Sequence, residues 1–283
     1  FGLGRVFCGV DLPTVFAALG VPPDTTGLER KPFPWIHRAT ADADIYLISN
    51  QSDANRHITA GFRVAGRQPE LWDAVTGRHR NLPDFAVTNG MTLVPLEFAP
   101  RESYFVVFQH AAAPPQKAED NFPAEHTVAE LTGPWTVHFD PRWGGPASVV
   151  FDSLADWTRR PEPGIQHYSG TAKYLKTFDV PVNLGPVPTD RHLFLDLGKL
   201  HNLAHVHLNG QDLGLVWCAP WQVDISRAVK PSGNTLEVDV MNTWANRLIG
   251  DAGLPAAKRI TWTAMPAIPN AGQPPFTPAS PLL

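Results

Sequence analysis

His57-Ile58-Thr59-Ala60-Gly61-Phe62-Arg63-Val64 puts Ile58, Ala60, Phe62 and Val64 on one face of an extended chain. Side chains of a strand alternate between two faces, so this period of two marks a half-buried strand and not a helix. Leu93-Val94-Pro95-Leu96-Glu97-Phe98 repeats the pattern through Val94, Leu96 and Phe98. Tyr104-Phe105-Val106-Val107-Phe108 is apolar on both faces, as a central strand is. Turn signals at Thr76-Gly77 and Asn89-Gly90 separate these runs at the spacing of a sandwich. Residues 31–110 therefore read as a small antiparallel β-sandwich.

Outward from that stretch, residues 1–30 hold the apolar run Arg5-Val6-Phe7-Cys8 and then Asp11 to Gly20, where Asp caps, Pro13 starts and Gly20 ends a helix. One strand and one helix cannot close a core alone, so they read as the tail of a larger α/β domain. Residues 111–125 carry three prolines and no apolar period, which predicts a linker. Over residues 126–252 the runs Trp135–Phe139, Leu193–Leu197, Ala204–Leu208 and Leu236–Val240 alternate again, with turns at Asn209-Gly210 and Pro231-Ser232-Gly233-Asn234. They predict a second all-β unit, a jelly roll or similar sandwich. Residues 253–283 include seven prolines and predict an extended, surface-wrapping tail.

The composition agrees. The 283 residues hold 22 Gly and 29 Pro but only 18% charged residues, a balance of turns and sheets. A net charge of −4 argues against a nucleic-acid partner, because that affinity rests on a basic face. No run approaches the roughly 18 apolar residues of a membrane-spanning helix, so no membrane partner is expected. Two cysteines, Cys8 and Cys218, make neither a disulfide scaffold nor an all-Cys zinc site. The chain opens at Phe1 without Met or a charged-then-apolar leader, so any targeting peptide is expected to be removed or upstream.

Sugar hydrolysis needs two carboxyl groups facing each other about 5–9 Å apart. The nine glutamates show no such pairing, and each reads as a solvated structural residue; no catalytic residue is assigned. Phe1-Gly2-Leu3-Gly4 lacks the third glycine and the preceding strand of a dinucleotide loop and reads as a turn. Asn50-Gln51-Ser52 is a glycosylation sequon. His205-Val206-His207 sets two imidazoles on one strand face, spacing that suits a metal if a neighbour brings a third donor. With no acidic or Cys residue adjacent, the pair reads as the outer face opposite Ala204, Val206 and Leu208. No metal ligand is therefore assigned.

The strongest binding signal is aromatic and amide-rich. Trp217 and Trp221 precede a short turn, and Asn242, Trp244, Asn246 and Arg247 follow a strand. Sugars stack their C–H faces on Trp while Asn and Arg hydrogen-bond the hydroxyls, so these six residues are candidate carbohydrate ligands. The same residues would also serve as a Trp core with a capping Asn–Arg network. His37 and Arg38, beside Trp35, form a second candidate that either enters a neighbouring pocket or seals a domain junction.

At these residues a family resemblance emerges. Its carriers begin with Trp35-Ile36-His37-Arg38, Ala43 to Gln51, and Leu71-Trp72-Asp73 with Thr76-Gly77. They continue with Leu131 to Trp135, Tyr168 to Tyr174, Leu208-Asn209-Gly210 with Leu213-Gly214, and Asn242 to Asp251. In order along nearly the whole chain, they resemble the C-terminal part of glycoside hydrolase family 106, the α-L-rhamnosidase family. The runs at Leu208 and Gly170 also resemble galactose-binding-like jelly rolls of the family 2 type. The resemblance implies a secreted or periplasmic bacterial enzyme with a catalytic (β/α)8 barrel followed by β-sandwich domains. It implies inversion by barrel carboxylates, a rhamnose-containing glycan as partner, and calcium as the one cofactor to expect. Residues 5–20 would then be the barrel's last strand and helix. On this resemblance the rest of the barrel is expected as a partner outside residues 1–283, and the family's sequence is expected to run past Leu283. The chain is thus expected to be a non-catalytic β-domain fragment, with a stand-alone carbohydrate-binding module and a structural spacer as alternatives.

Overall fold

The computed structural model describes residues 2, 4–29, 32–112, 120–184, 191–261 and 276–283. The chain divides into two compact units, Phe1–Glu125 and His126–Leu283. The first contains α1 Leu12–Ala18, β1 Thr25–Thr26, β2 Trp35–Ala39, β3 Asp44–Ser49, β4 Arg56–Phe62, β5 Arg67–Trp72, β6 His79–Asn81, β7 Ala86–Thr88, β8 Met91–Phe98 and β9 Ser103–Ala111. Its strands make a four-stranded sheet, β1-β4-β8-β7, and a five-stranded sheet, β2-β3-β9-β5-β6. The alternating faces pair as expected: Ile58 lies opposite Leu96 and Ala60 opposite Val94. Phe62, Val94, Leu96 and Phe98 from one sheet share a core with Tyr46, Ile48, Val106 and Phe108 from the other. Buried Val107, on the opposite face of β9, fits the middle position of that strand.

The helix forms where expected. Asp11 accepts from the Thr14 amide at 3.0 Å. Gly20, at φ +67°, closes the other end while Val21 N donates to Phe16 O and Gly20 N to Ala17 O. That left-handed glycine is the residue this termination requires. The strand expected over Arg5–Cys8 does not form: no described residue offers it a ladder partner, and Val6 is 89% exposed. Among the described residues no barrel strand precedes α1, and none of the helix's own residues is buried.

Asn121, assigned by composition to the linker, is instead an anchor of the first unit. It is 3% exposed, accepts from Asp84 N at 2.9 Å and donates to Asp84 O and Pro95 O. Residues 113–119 of that expected linker lie outside the described residues, as do 262–275 of the expected tail and Phe1 and Leu3 of the Gly-containing turn.

The sequon is also spoken for. Asn50 is fully buried; its amide donates to Ala54 O at 2.9 Å and Ala99 O at 2.8 Å, while its oxygen accepts from Ser52 N and Ser52 Oγ. We predict that Asn50 carries no glycan in the folded chain. Asn50→Ala, which removes all four hydrogen bonds of a fully buried amide, should lower unfolding free energy by about 2–4 kcal/mol in urea titration. A glycan at Asn50 by peptide mass, or a cost below about 0.5 kcal/mol, would refute this.

The second unit contains β10 Trp135–His138, β11 Val149–Phe151, α2 Pro163–Gln166, β12 Thr171–Phe178, β13 Phe194–Asp196, β14 Leu203–Leu208, β15 Gln211–Val216, β16 Gln222–Asp224, β17 Asn234–Met241 and α3 Ala245–Ala252. Six strands pair antiparallel in the order β11-β10-β12-β17-β14-β15, and β13 pairs with β16. Leu195 and Val223 of that pair pack on the core formed by Val137, Ala172, Val206, Leu208 and Val238 of the large sheet. Asn209 and Gly210, at φ +55° and +79°, form the two-residue turn between β14 and β15 that the Asn-Gly pair predicts. No helix among the described residues is long and apolar enough to cross a membrane.

Candidate functional site

The aromatic and amide candidates separate into exposed and committed groups. Trp217 is 58% exposed and Trp244 is 48% exposed, so about half of each residue stays in contact with solvent. Trp244, at the start of α3, meets Trp143 edge-on with ring centroids 4.8 Å apart. Trp221 is half-buried against the second core. Asn242 joins two chain segments, accepting from Gly170 N and donating to Tyr168 O, both at 2.9 Å. Asn246 is 2% exposed and exchanges two 2.8 Å bonds with the backbone of Leu283. Arg247 is 6% exposed and lies 2.8 Å from Asp251 Oδ1, one helical turn later. Asn246 and Arg247 are therefore paired and buried, Asn242 is paired and half-buried, and all three side chains hold the unit together, while Trp217 and Trp244 keep solvent-exposed surface.

In the first unit His37 stands at the centre of a polar network. β2 and β3 pair, placing His37 opposite Tyr46, and the two rings stack at 4.0 Å. Its Nδ1 lies 2.9 Å from Asp24 Oδ2 and its Nε2 lies 3.1 Å from Asp44 Oδ1. Both contacts are hydrogen bonds at once when the ring donates from both nitrogens. Arg63 donates to Asp24 and Arg67 to Asp44, at 3.1 and 3.3 Å. Burial first, then the Asp24 and Asp44 charges, push the Tyr46 phenol well above the usual tyrosine range. Arg38, the next residue on β2, is exposed and faces away from this network.

Two groups escaped the sequence reading. Glu70, expected to be solvated, is 3% exposed; Trp72 Nε1 donates to it at 3.0 Å, Gln109 Nε2 at 3.2 Å, and His110 Nδ1 lies 2.5 Å away. Burial pushes its carboxyl up, and the bonds from Trp72, His110 and Gln109 together outweigh burial and hold it below its ordinary value of 4.5. A depressed folded value stabilises above the unfolded value and is lost as pH falls through the folded one. The first unit should therefore lose stability as pH drops below about 4.5. Glu70→Gln should flatten that part of the profile of urea midpoint against pH, and an unchanged slope would refute the assignment.

Asp212 is the third donor that the histidine pair lacked along its own strand. His205 and His207 are the outward residues of β14, between fully buried Ala204, Val206 and Leu208. The tight turn sets Asp212 of β15 opposite His207, and its Oδ1 lies 2.7 Å from His205 Nε2. The bond from Gly214 N and then the one from His205 hold the Asp212 carboxyl below its ordinary range. His205, His207 and Asp212 thus bring three ligand atoms within 4.8 Å of one another. Calcium takes six to eight oxygens, and a set with two imidazoles does not fit it.

By likeness to known proteins the chain is related to glycoside hydrolases. The alpha-L-rhamnosidase model, glycoside hydrolase family 106, matches residues 1–86. The solved rhamnosidase of Novosphingobium sp. PP1Y superposes on 100% of this chain, with a TM-score of 0.89 and 39% identity, and the match covers 26% of that enzyme. A Formosa agariphila protein provisionally named a beta-glucuronidase is 43% identical over 125 residues, 44% of this chain and 11% of that protein. The chain therefore spans about a quarter or less of the length of these relatives. The resemblance seen in the motifs holds along the whole chain, and so does the mainly β fold.

Proposed function

We propose that this chain is a non-catalytic β-domain portion of a secreted or periplasmic glycoside hydrolase acting on rhamnose-containing glycans. The observation that carries this reading is the fit of its full length to about a quarter of a rhamnosidase. The locally engaged glutamates support it: Glu70 is enclosed, Glu97 pairs with His57, Glu162 with Arg160 and Glu237 with Lys173. The uncovered apolar residues Leu12, Phe16 and Leu19 on and beside α1 fit a surface that buttresses the enzyme's barrel. The test is hydrolysis of an aryl α-L-rhamnoside by the homogeneous chain. No turnover is expected, and turnover that survives purification overturns the reading.

A second reading, a carbohydrate-binding module, is favoured by the exposure of Trp217 and Trp244. Single-site sugar binding of about 4–6 kcal/mol corresponds to millimolar to tens of micromolar affinity. Titrating tryptophan fluorescence with L-rhamnose and rhamnose-containing oligosaccharides, with and without calcium, separates the two. Saturable quenching lost in Trp244→Ala supports a module, and a flat response leaves a scaffold.

A further inference from the structure

The geometry points to a zinc-class divalent metal site formed by His205, His207 and Asp212 across the β14–β15 hairpin. The donors are two imidazole nitrogens and one carboxylate oxygen, the mixed set that zinc and its transition-metal neighbours take in preference to calcium or magnesium. Their ligand atoms lie within 4.8 Å of one another before any ion draws them in. Bonds of about 2.0–2.2 Å in a tetrahedron put ligand atoms about 3.3 Å apart, so the ligand atoms need to close by at most about 1.5 Å.

The backbone holds this arrangement. The two-residue turn fixes the pairs Leu208–Gln211 and His207–Asp212, and the ladder then shifts by one residue before His205 pairs with Leu215. Gly214, at φ +89°, supplies that shift, a conformation suited to glycine. Its amide also donates to Asp212 Oδ1 at 2.8 Å, which orients the carboxylate toward the histidines. The rings of His205 and His207 sit 4.3 Å apart on the same face.

The surrounding charge favours a cation. On the other flank of β14, β17 places Glu237 opposite His207 and Asp239 opposite His205. Lys173 Nζ lies 2.8 Å from Glu237 and 4.0 Å from Asp239. Three carboxylates thus neighbour the two imidazoles, and the Lys173 ammonium is taken up by the Glu237 and Asp239 pair. No hydrogen bond among the described residues engages the His207 ring, so its nitrogens are open to an ion. Three protein ligands leave at least one coordination position for water or an added ligand, and the ion would join β14 to β15, the edge strand of its sheet.

The test is isothermal titration of the untagged 283-residue chain with zinc chloride, with cobalt chloride as the absorbance probe. One equivalent of zinc should bind, cobalt should give visible bands, and zinc should perturb the imidazole NMR signals of His205 and His207. His207→Gln and Asp212→Asn, both outward-facing, should each weaken zinc binding by about tenfold or more. The Cys8→Ser, Cys218→Ser double variant should bind as the parent does. Absence of stoichiometric zinc binding overturns the site, as does binding that neither substitution weakens. Weakening by His207→Gln alone also overturns it, because that describes a histidine pair without the cross-hairpin carboxylate. The NMR measurement on the unmodified chain decides the matter if a variant fails to fold.

Discussion

Asp251→Ala should lower the unfolding free energy of the second unit by about 3–5 kcal/mol, the cost of leaving a buried charge without its partner. Asp251 and Arg247 are 2% and 6% exposed, and their 2.8 Å contact is the ion pair that neutralises both. Neither Arg247 Nε nor Asp251 Oδ1 makes an aligned hydrogen bond, so attraction between charges, not bond geometry, holds that contact. The other oxygen of Asp251 accepts from Ile260 N, Thr261 N and Thr261 Oγ1 at 2.7–2.9 Å, tying the chain after α3 back to the helix. Alanine removes the counter-charge and three acceptor contacts together. The double variant Arg247→Met, Asp251→Leu should recover much of the loss, because no uncompensated charge stays buried. Urea unfolding followed by tryptophan fluorescence measures both. A cost below about 1 kcal/mol for Asp251→Ala would mean the pair is hydrated in solution and open to ligands.

This pair also shows what the sequence conveys and what it conceals. Period-two runs and Asn-Gly turns made the two β-units legible, since a strand's alternation and a turn's positive φ are local properties. The N-terminal strand was misread because Arg5-Val6-Phe7-Cys8 has the composition of a strand but, among the described residues, no partner, and strands exist only in pairs. Linker composition misleads at Asn121 because it says nothing of an amide that fits the carbonyls of Asp84, in a loop, and of Pro95, on β8. Asn246 and Arg247 were drawn as sugar ligands because amide, guanidinium and indole are the chemistry of both a sugar site and a sealed joint; only burial separates the two. Asp212 was within reach: counting back from Asn209-Gly210 pairs residue 207 with 212. The third ligand lies across the turn and not along the strand, so adjacency in sequence does not reveal it.

The same joint predicts a second large effect. Tyr168→Ala should cost the second unit about 3–5 kcal/mol, and Tyr168→Phe about 1–2 kcal/mol. Tyr168 is fully buried and its ring packs edge-on against Phe139 and Trp157 at 4.8 and 5.7 Å. Its hydroxyl accepts from Asp140 N at 3.0 Å and donates to Thr171 O at 2.8 Å, so phenylalanine orphans both groups while keeping the ring. Gly145 backs the ring closely: a Cβ there would stand 2.9 Å from it, so the backbone is packed directly against the tyrosine. The segment that follows binds the candidate sugar residues themselves: Ser169 Oγ accepts from Arg247 N, and Asn242 clasps Tyr168 O and Gly170 N. Tyr168 therefore supports the platform beneath Trp244 without facing solvent. If Trp244 stacks on sugar, Tyr168→Phe should lower unfolding midpoints while leaving sugar affinity nearly unchanged. Equal loss of affinity in Tyr168→Phe and Trp244→Ala would instead mean that the indole is positioned by this joint, and that the joint belongs to the binding site.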